Sequence, residues 1–134
     1  MQNKIATRKK AFINRKNKYF EVTDNFFKPL VKLLNIKNKK KNFSLSLYYP
    51  SNYEVNILKL FGLIEIKKTK TLLPVIKSKN QMKFVKWQYL DPLKVNYFGM
   101  LDPCLQTKPL IPDTMLVPLL AFDSKNNRLG YGKG

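Results

Sequence analysis

The stretch that most constrains this chain is its last twenty residues, Met115 to Gly134, MLVPLLAFDSKNNRLGYGKG. An apolar run from Met115 to Phe122, broken only by Pro118, predicts a buried strand. A polar turn then leads to Arg128 and three alternating glycines, Gly130, Gly132 and Gly134. Glycines let backbone N–H groups approach an anion without an intervening Cβ, and Arg128 and Lys133 add fixed positive charge. Strand, turn, arginine and glycines in that order suit a phosphate cradle. A plain hairpin around Asn126-Asn127 is the competing reading. The glycine spacing matches neither the Walker loop nor the dinucleotide-binding fingerprint.

Composition narrows the chemistry. A chain of 134 residues with 44% hydrophobic and 13% aromatic residues can bury one core, and it does not have the makeup of a disordered segment. With no histidine, imidazole bases and histidine metal sites are excluded, and a single cysteine, Cys104, excludes an intrachain disulfide or a cysteine-rich zinc site. Cys104 has no histidine partner and is expected to be structural. The net charge of +18 points toward polyanions. Only Arg8, Arg15 and Arg128 are arginines, however, and the remaining positive charge is lysine among many Asn, Ile and Phe, the bias of an AT-rich coding sequence. A small basic RNA-binding protein is the alternative function, without an arginine cluster or an RNA motif to carry it. No apolar run approaches the roughly 20 residues that span a bilayer, and the N-terminus lacks the core of a signal peptide. A soluble, cytoplasmic, monomeric protein is expected.

Read in order, Lys4 to Phe20 suits a basic helix, with Ile5, Phe12, Ile13 and Tyr19 available for packing. Helical spacing puts Lys4 and Arg8 on one face, where they form either a solvated basic surface or an anion clamp. A second helix is predicted from Asp24 to about Ile36, with Pro29 marking a kink or a later start. Lys37 to Lys41 reads as a linker. Phe43 to Tyr49, FSLSLYY, alternates as a strand with two unequal faces. Ser51-Asn52-Tyr53-Glu54 then opens a predicted helix as a capping box, and Gly62 ends it near Phe61. Lys70 to Ile76 and Gln81 to Trp87 are further strands, the latter offering Met82, Phe84 and Trp87 for burial, and Asp91 to Pro112 is irregular. The alternation of helices and strands gives an α/β class. Glu54 is either only a capping residue or a carboxylate at a strand end, where α/β sheets place ligands and where it can accept hydrogen bonds from a polar heterocycle.

At this level of detail the chain resembles the 5-formyltetrahydrofolate cyclo-ligase family, also called methenyltetrahydrofolate synthetases. Val117 to Gly134 reads VPLLAFDSKNNRLGYGKG and is similar to that family's VPGLAFD followed, after a short gap, by RLGYGGGYYDR. Further matches lie upstream in order: Lys4-xxx-Arg8, Tyr49-Pro50 with Glu54, LLPVI from Leu72, Met82-Lys83-Phe84 and FGMLDP from Phe98. The resemblance implies a three-layer α/β/α fold with a mostly parallel sheet. It also implies ATP- and Mg²⁺-dependent conversion of 5-formyltetrahydrofolate to 5,10-methenyltetrahydrofolate. ATP phosphorylates the formyl oxygen, N10 attacks the activated carbon, and phosphate leaves. Carried over by position, Lys4, Arg8, Arg128, Gly130, Tyr131, Gly132, Lys133 and Gly134 hold ATP, Glu54 binds the pterin end of the folate, and Met82 walls the pocket.

Three departures stand out against the family pattern. Lys133 occupies a position that is glycine in many members, and Leu119 replaces the glycine of VPGLAFD. The aromatic pair, the aspartate that helps bind magnesium and the arginine after it have no counterpart by Gly134. Residues 1–134 are therefore expected to form a single cyclo-ligase-like domain cut short at its C-terminus, with weak or no turnover by the isolated chain.

Overall fold

The computed structural model describes residues 2–37, 42–63, 69–78, 81–105 and 107–131. The lysine-rich linker at 38–41 and the glycine-loop residues Gly132, Lys133 and Gly134 lie outside them.

Two helices come first, α1 (Gln2–Asn17) and α2 (Lys28–Lys37), the latter entered through a 3₁₀ turn at Asp24–Phe27. Pro29 falls in the first turn of α2, where a missing N–H costs nothing because that donor has no intrahelical acceptor. The single helix predicted over 24–36 thus starts as a tighter turn and becomes α-helical just before its proline.

The strands β1 (Ser44–Ser46), β2 (Lys70–Ser78), β3 (Gln81–Lys86) and β6 (Thr114–Met115) form one sheet in the order β3-β2-β1-β6. β1 runs parallel to β2 and to β6, and only β3 is antiparallel, so the sheet is mostly parallel as expected. β1 departs from the two-faced strand that FSLSLYY suggested, since all of Phe43 to Leu47 are buried. That is the signature of a central parallel strand covered on both sides. Its serines tolerate burial because they are bonded: Ser44 donates through both N–H and Oγ to Asp113 Oδ2 at 2.9 Å, which ties β1 to the approach to β6. The core gathers Leu45, Leu47 and Leu73 from the sheet with Phe27, Val31 and Leu34 from the helical side, and Trp87 closes one end against Phe61.

Three local expectations fail for physical reasons. No helix forms at 51–56; the chain makes a tight turn there and then a 3₁₀ helix at Ile57–Gly62. Asp91 to Pro112 is not wholly irregular, because β4 (Leu93–Val95) pairs antiparallel with β5 (Leu101–Pro103). The Asn96 side chain organises their connection by accepting from the N–H groups of Phe98 and Met100, and Gly99 supplies the φ of +74° that it needs. Finally, Met115 to Phe122 is not one buried strand. It divides into β6, an extended segment and β7 (Ala121–Phe122), and Phe122 is 74% exposed. Trp87, just after β3, is buried as expected, but Met82 within it is 56% exposed, since β3 is an edge of the sheet. Ile5 and Ile13 of α1 are exposed, as is Cys104. Among the described residues no helix is long and apolar enough to cross a membrane.

Candidate functional site

The site is built where α1, the turn after β1 and the β7–β8 hairpin meet. In α1 the partly buried positions are Arg8, Ala11, Phe12 and Arg15, a helical stripe of one and two turns. Two of these four inward positions are arginines. Lys4 lies one turn before Arg8 and is exposed.

The turn after β1 explains the failed helix. Glu54 N–H donates to the Ser51 carbonyl at 2.9 Å, while Asn52 and Tyr53 take φ of +50° and +61°. Two central residues of positive φ make a turn of the primed type, incompatible with helix propagation. Asparagine accepts this conformation readily, but an aromatic residue does so at a cost of about 1–2 kcal/mol. Tyr53 is held by edge-on contacts with Phe12 and Tyr19, at 6.0 and 5.9 Å between ring centroids, and Lys16 lies 5.8 Å from its ring. Half of the predicted capping box does form: Glu54 Oε2 accepts from Ser51 N–H at 2.8 Å. It locks the turn rather than a helix.

β8 (Arg128–Leu129) pairs antiparallel with β7, so the hairpin reading of this stretch also holds. Asp123 closes the hairpin by accepting from the N–H groups of Lys125 and Asn127. Asn126, at φ +61°, supplies the reversal. The hairpin returns Gly130 and Tyr131 to the inner face of α1. There Arg8 Nε donates to the Gly130 carbonyl at 3.0 Å, and Arg15 donates to the Tyr131 hydroxyl and the Leu119 carbonyl through its two terminal nitrogens. Tyr131 in turn donates to Glu54 Oε1 at 2.8 Å. A continuous chain therefore runs from Arg15 through Tyr131 to Glu54 and on to the Ser51 backbone. Partial burial, followed by the hydrogen bond and charge of Glu54, pushes the Tyr131 phenol up to about 12 against the opposing pull of Arg15. Tyr48, bonded to the Val55 carbonyl, is likewise pushed up to about 12, by burial first and by the Glu54 charge second.

Glu54 is 8% exposed. Beside its turn lies a cavity of about 300 Å³ whose wall includes Tyr48, Val55, Phe27, Leu30 and Leu116. Glu54 itself is not part of that wall; its neighbour Val55 is, so an apolar recess lies one residue from the buried carboxylate.

A scan of protein families matches residues 3–134 to the 5-formyltetrahydrofolate cyclo-ligase family. The chain belongs to that family. It is 30% identical over 107 residues to the 5-formyltetrahydrofolate cyclo-ligase of Haemophilus influenzae, covering 75% of this chain and 57% of that protein. It therefore spans less than two thirds of that relative's length. Among solved structures, the NMR structure of Aquifex aeolicus 5,10-methenyltetrahydrofolate synthetase is similar at 28% identity and a TM-score of 0.66, over 98% of this chain and 68% of that one. A 5,10-methenyltetrahydrofolate synthetase from Mycoplasma pneumoniae shares the fold, with a TM-score of 0.66 at 23% identity over 98% of this chain and 73% of that one. The cyclo-ligase membership leaves the RNA-binding alternative without support.

Of the cyclo-ligase positions singled out in the sequence, the fold pairs Arg8 with Gly130 and Tyr131 with Glu54 through two hydrogen bonds on adjacent hairpin residues, although Arg8 and Gly130 lie 122 residues apart. Arg128 is exposed on β8. Met82 sits on edge strand β3 opposite Ile76, four residues beyond Leu72, the β2 residue paired with Ser46. It is at the same end of the sheet as the turn that follows β1, but well past the end of that strand. Arg15 was missed. The available signal was its rarity: where nearly all basic residues are lysine, the few arginines mark places where a planar fork of donors is used.

Proposed function

We propose that this chain carries the site for the ATP-coupled cyclisation of 5-formyltetrahydrofolate to 5,10-methenyltetrahydrofolate and binds both ligands, with weak turnover by residues 1–134 alone. Family membership supports this, and the observation that carries it is the convergence of Arg8, Gly130, Tyr131 and Glu54 at one site. Bound ATP supplies the phosphoryl group that activates the formyl oxygen. Positioning and charge, rather than a strong base, are what such a transfer requires of the protein.

The residues present fit an anion. Arg8 and Arg15 face inward from α1, Arg128 and Lys4 add exposed charge nearby in the fold, and a Cβ built at Gly130 would meet nothing within 4 Å, so the backbone there is open to approach. Arg8, Lys4 and Arg128 bind phosphate oxygens in this reading, together with the Gly130 to Gly134 backbone and Tyr131. Glu54 accepts from the N–H groups of the pterin, whose neighbouring ring lies in the apolar recess; Met82, on edge strand β3 and outside the lining of that recess, meets the folate only where it extends across the strand ends. Magnesium is different: among the described residues no group of three acidic, cysteine or histidine side chains could hold a metal ion. No side chain of this chain is assigned to it.

The test mixes the chain with 5-formyltetrahydrofolate, ATP and Mg²⁺ and follows the near-ultraviolet absorbance of the methenyl product. Product formation requiring all three supports the reading. Absence of both turnover and binding of either ligand, in a protein shown to be folded, defeats it.

A further inference from the structure

Each oxygen of Glu54 accepts a hydrogen bond from the protein. Oε2 accepts from the Ser51 backbone inside a closed turn, and Oε1 accepts from Tyr131. The Ser51 bond lies within a four-residue turn that the Glu54 N–H to Ser51 carbonyl bond also closes, whereas the Tyr131 bond reaches across from the hairpin. The phenol is not there by chance of packing. Arg15 donates to the same hydroxyl, its guanidinium lies 5.6 Å from the centroid of the Tyr131 ring, and its other terminal nitrogen holds the Leu119 carbonyl on the opposite side of the hairpin. Arg8 fixes the adjoining Gly130 carbonyl. Two arginines of α1 therefore clamp the hairpin so that Tyr131 stands on Glu54. A guanidinium bonded to neutral carbonyls and a phenol will exchange them for an anion, since bonds between charged groups are roughly twice as strong as neutral ones.

We propose that Tyr131, held by Arg15, controls access to Glu54: it stands where a ligand's N–H donor would, and an anion that draws Arg8 and Arg15 off the hairpin releases it. This rests on the reading of Glu54 as the folate carboxylate and extends it to an order of events. The anion-binding and folate-binding halves of the site are coupled through one hydroxyl, and the coupling is positive. Tyr131 acts on the folate half through Glu54 before its release to the phosphate half, and Arg15 is a positioning residue.

Binding of 5-formyltetrahydrofolate, measured by calorimetry with and without a saturating non-hydrolysable ATP analogue, tests this. The wild-type chain is expected to bind the folate on the order of tenfold more tightly with the analogue present. Tyr131→Phe, which removes only the hydroxyl, should reach that tighter affinity without nucleotide and gain little when it is added. Arg15→Met should also bind the folate more tightly alone, and Arg15→Lys should fall between it and wild type. Weaker or unchanged folate binding by Tyr131→Phe overturns the role of Tyr131, as does an undiminished response to the analogue. Glu54→Gln separates the two levels of inference: unchanged folate affinity in that variant refutes the assignment of Glu54, whatever Tyr131→Phe does.

Discussion

Replacing Glu54 with alanine should destabilise the folded chain by about 2–3 kcal/mol. The carboxylate accepts two hydrogen bonds of 2.8 Å, from Ser51 N–H and from the Tyr131 hydroxyl. Bonds to a charged group contribute about 1.5–3 kcal/mol each, which sets an upper bound of about 3–6 kcal/mol. Ser51 is exposed and Tyr131 only half-buried, so water can satisfy both donors once the carboxylate is gone, and roughly half of that bound survives. Glu54→Gln keeps an acceptor for one donor and should cost about 1 kcal/mol. In urea unfolding, with a slope of about 2 kcal/mol per molar, the alanine variant should lose a little more than about 1 M in midpoint. The double variant Glu54→Ala/Tyr131→Phe should be less destabilised than the sum of the singles by about 1 kcal/mol or more. A cost for Glu54→Ala below about 0.5 kcal/mol, or additivity of the two changes within that margin, refutes the hydrogen-bonded chain as described.

Leu45, fully buried in the central strand, should cost about 3–4 kcal/mol when changed to alanine, read from the same urea midpoints. Gly99→Ala should cost about 1 kcal/mol through backbone strain alone, because its φ is +74° while the added Cβ meets no neighbour; a stabilised variant in thermal melts would contradict this. Tyr131 has a folded-state value raised to about 12 from an ordinary 10.0, so its contribution to stability is complete below pH 10 and is lost as pH rises toward 12. Wild type should therefore lose urea resistance between pH 10 and 12 more steeply than Tyr131→Phe, and parallel profiles would place the Tyr131 phenol in solvent.

The identity of this chain was legible because several motifs keep their order and spacing. Its architecture was legible in part. The apolar stretches at Phe43 to Leu47 and Leu72 to Val75 mark the sheet, and α1 begins and ends close to its predicted bounds. What misled was local pattern read without neighbours. Ser51 and Glu54 have the spacing of a helix cap, and the Ser51–Glu54 bond does form, yet contacts of Tyr53 with Phe12 and Tyr19 hold a positive φ that no propensity would predict. The apolar run Met115 to Phe122 looks buried, but a hydrophobic sequence cannot tell a strand inside a sheet from one at its margin, and here β6 is the edge.

The sequence by itself settled which residues carry charge. It also excluded histidine chemistry and an intrachain disulfide within these residues, since composition needs no fold. Tertiary structure alone decided that Arg15 belongs with Tyr131 and Glu54, because helix phase, a parallel sheet and a hairpin must combine before residues 116 and 77 positions apart can share a hydrogen bond. The C-terminal stretch that reads as a phosphate cradle thus acquires a second attribute in the folded chain. Through one hydroxyl it also reaches the carboxylate at the other half of the site.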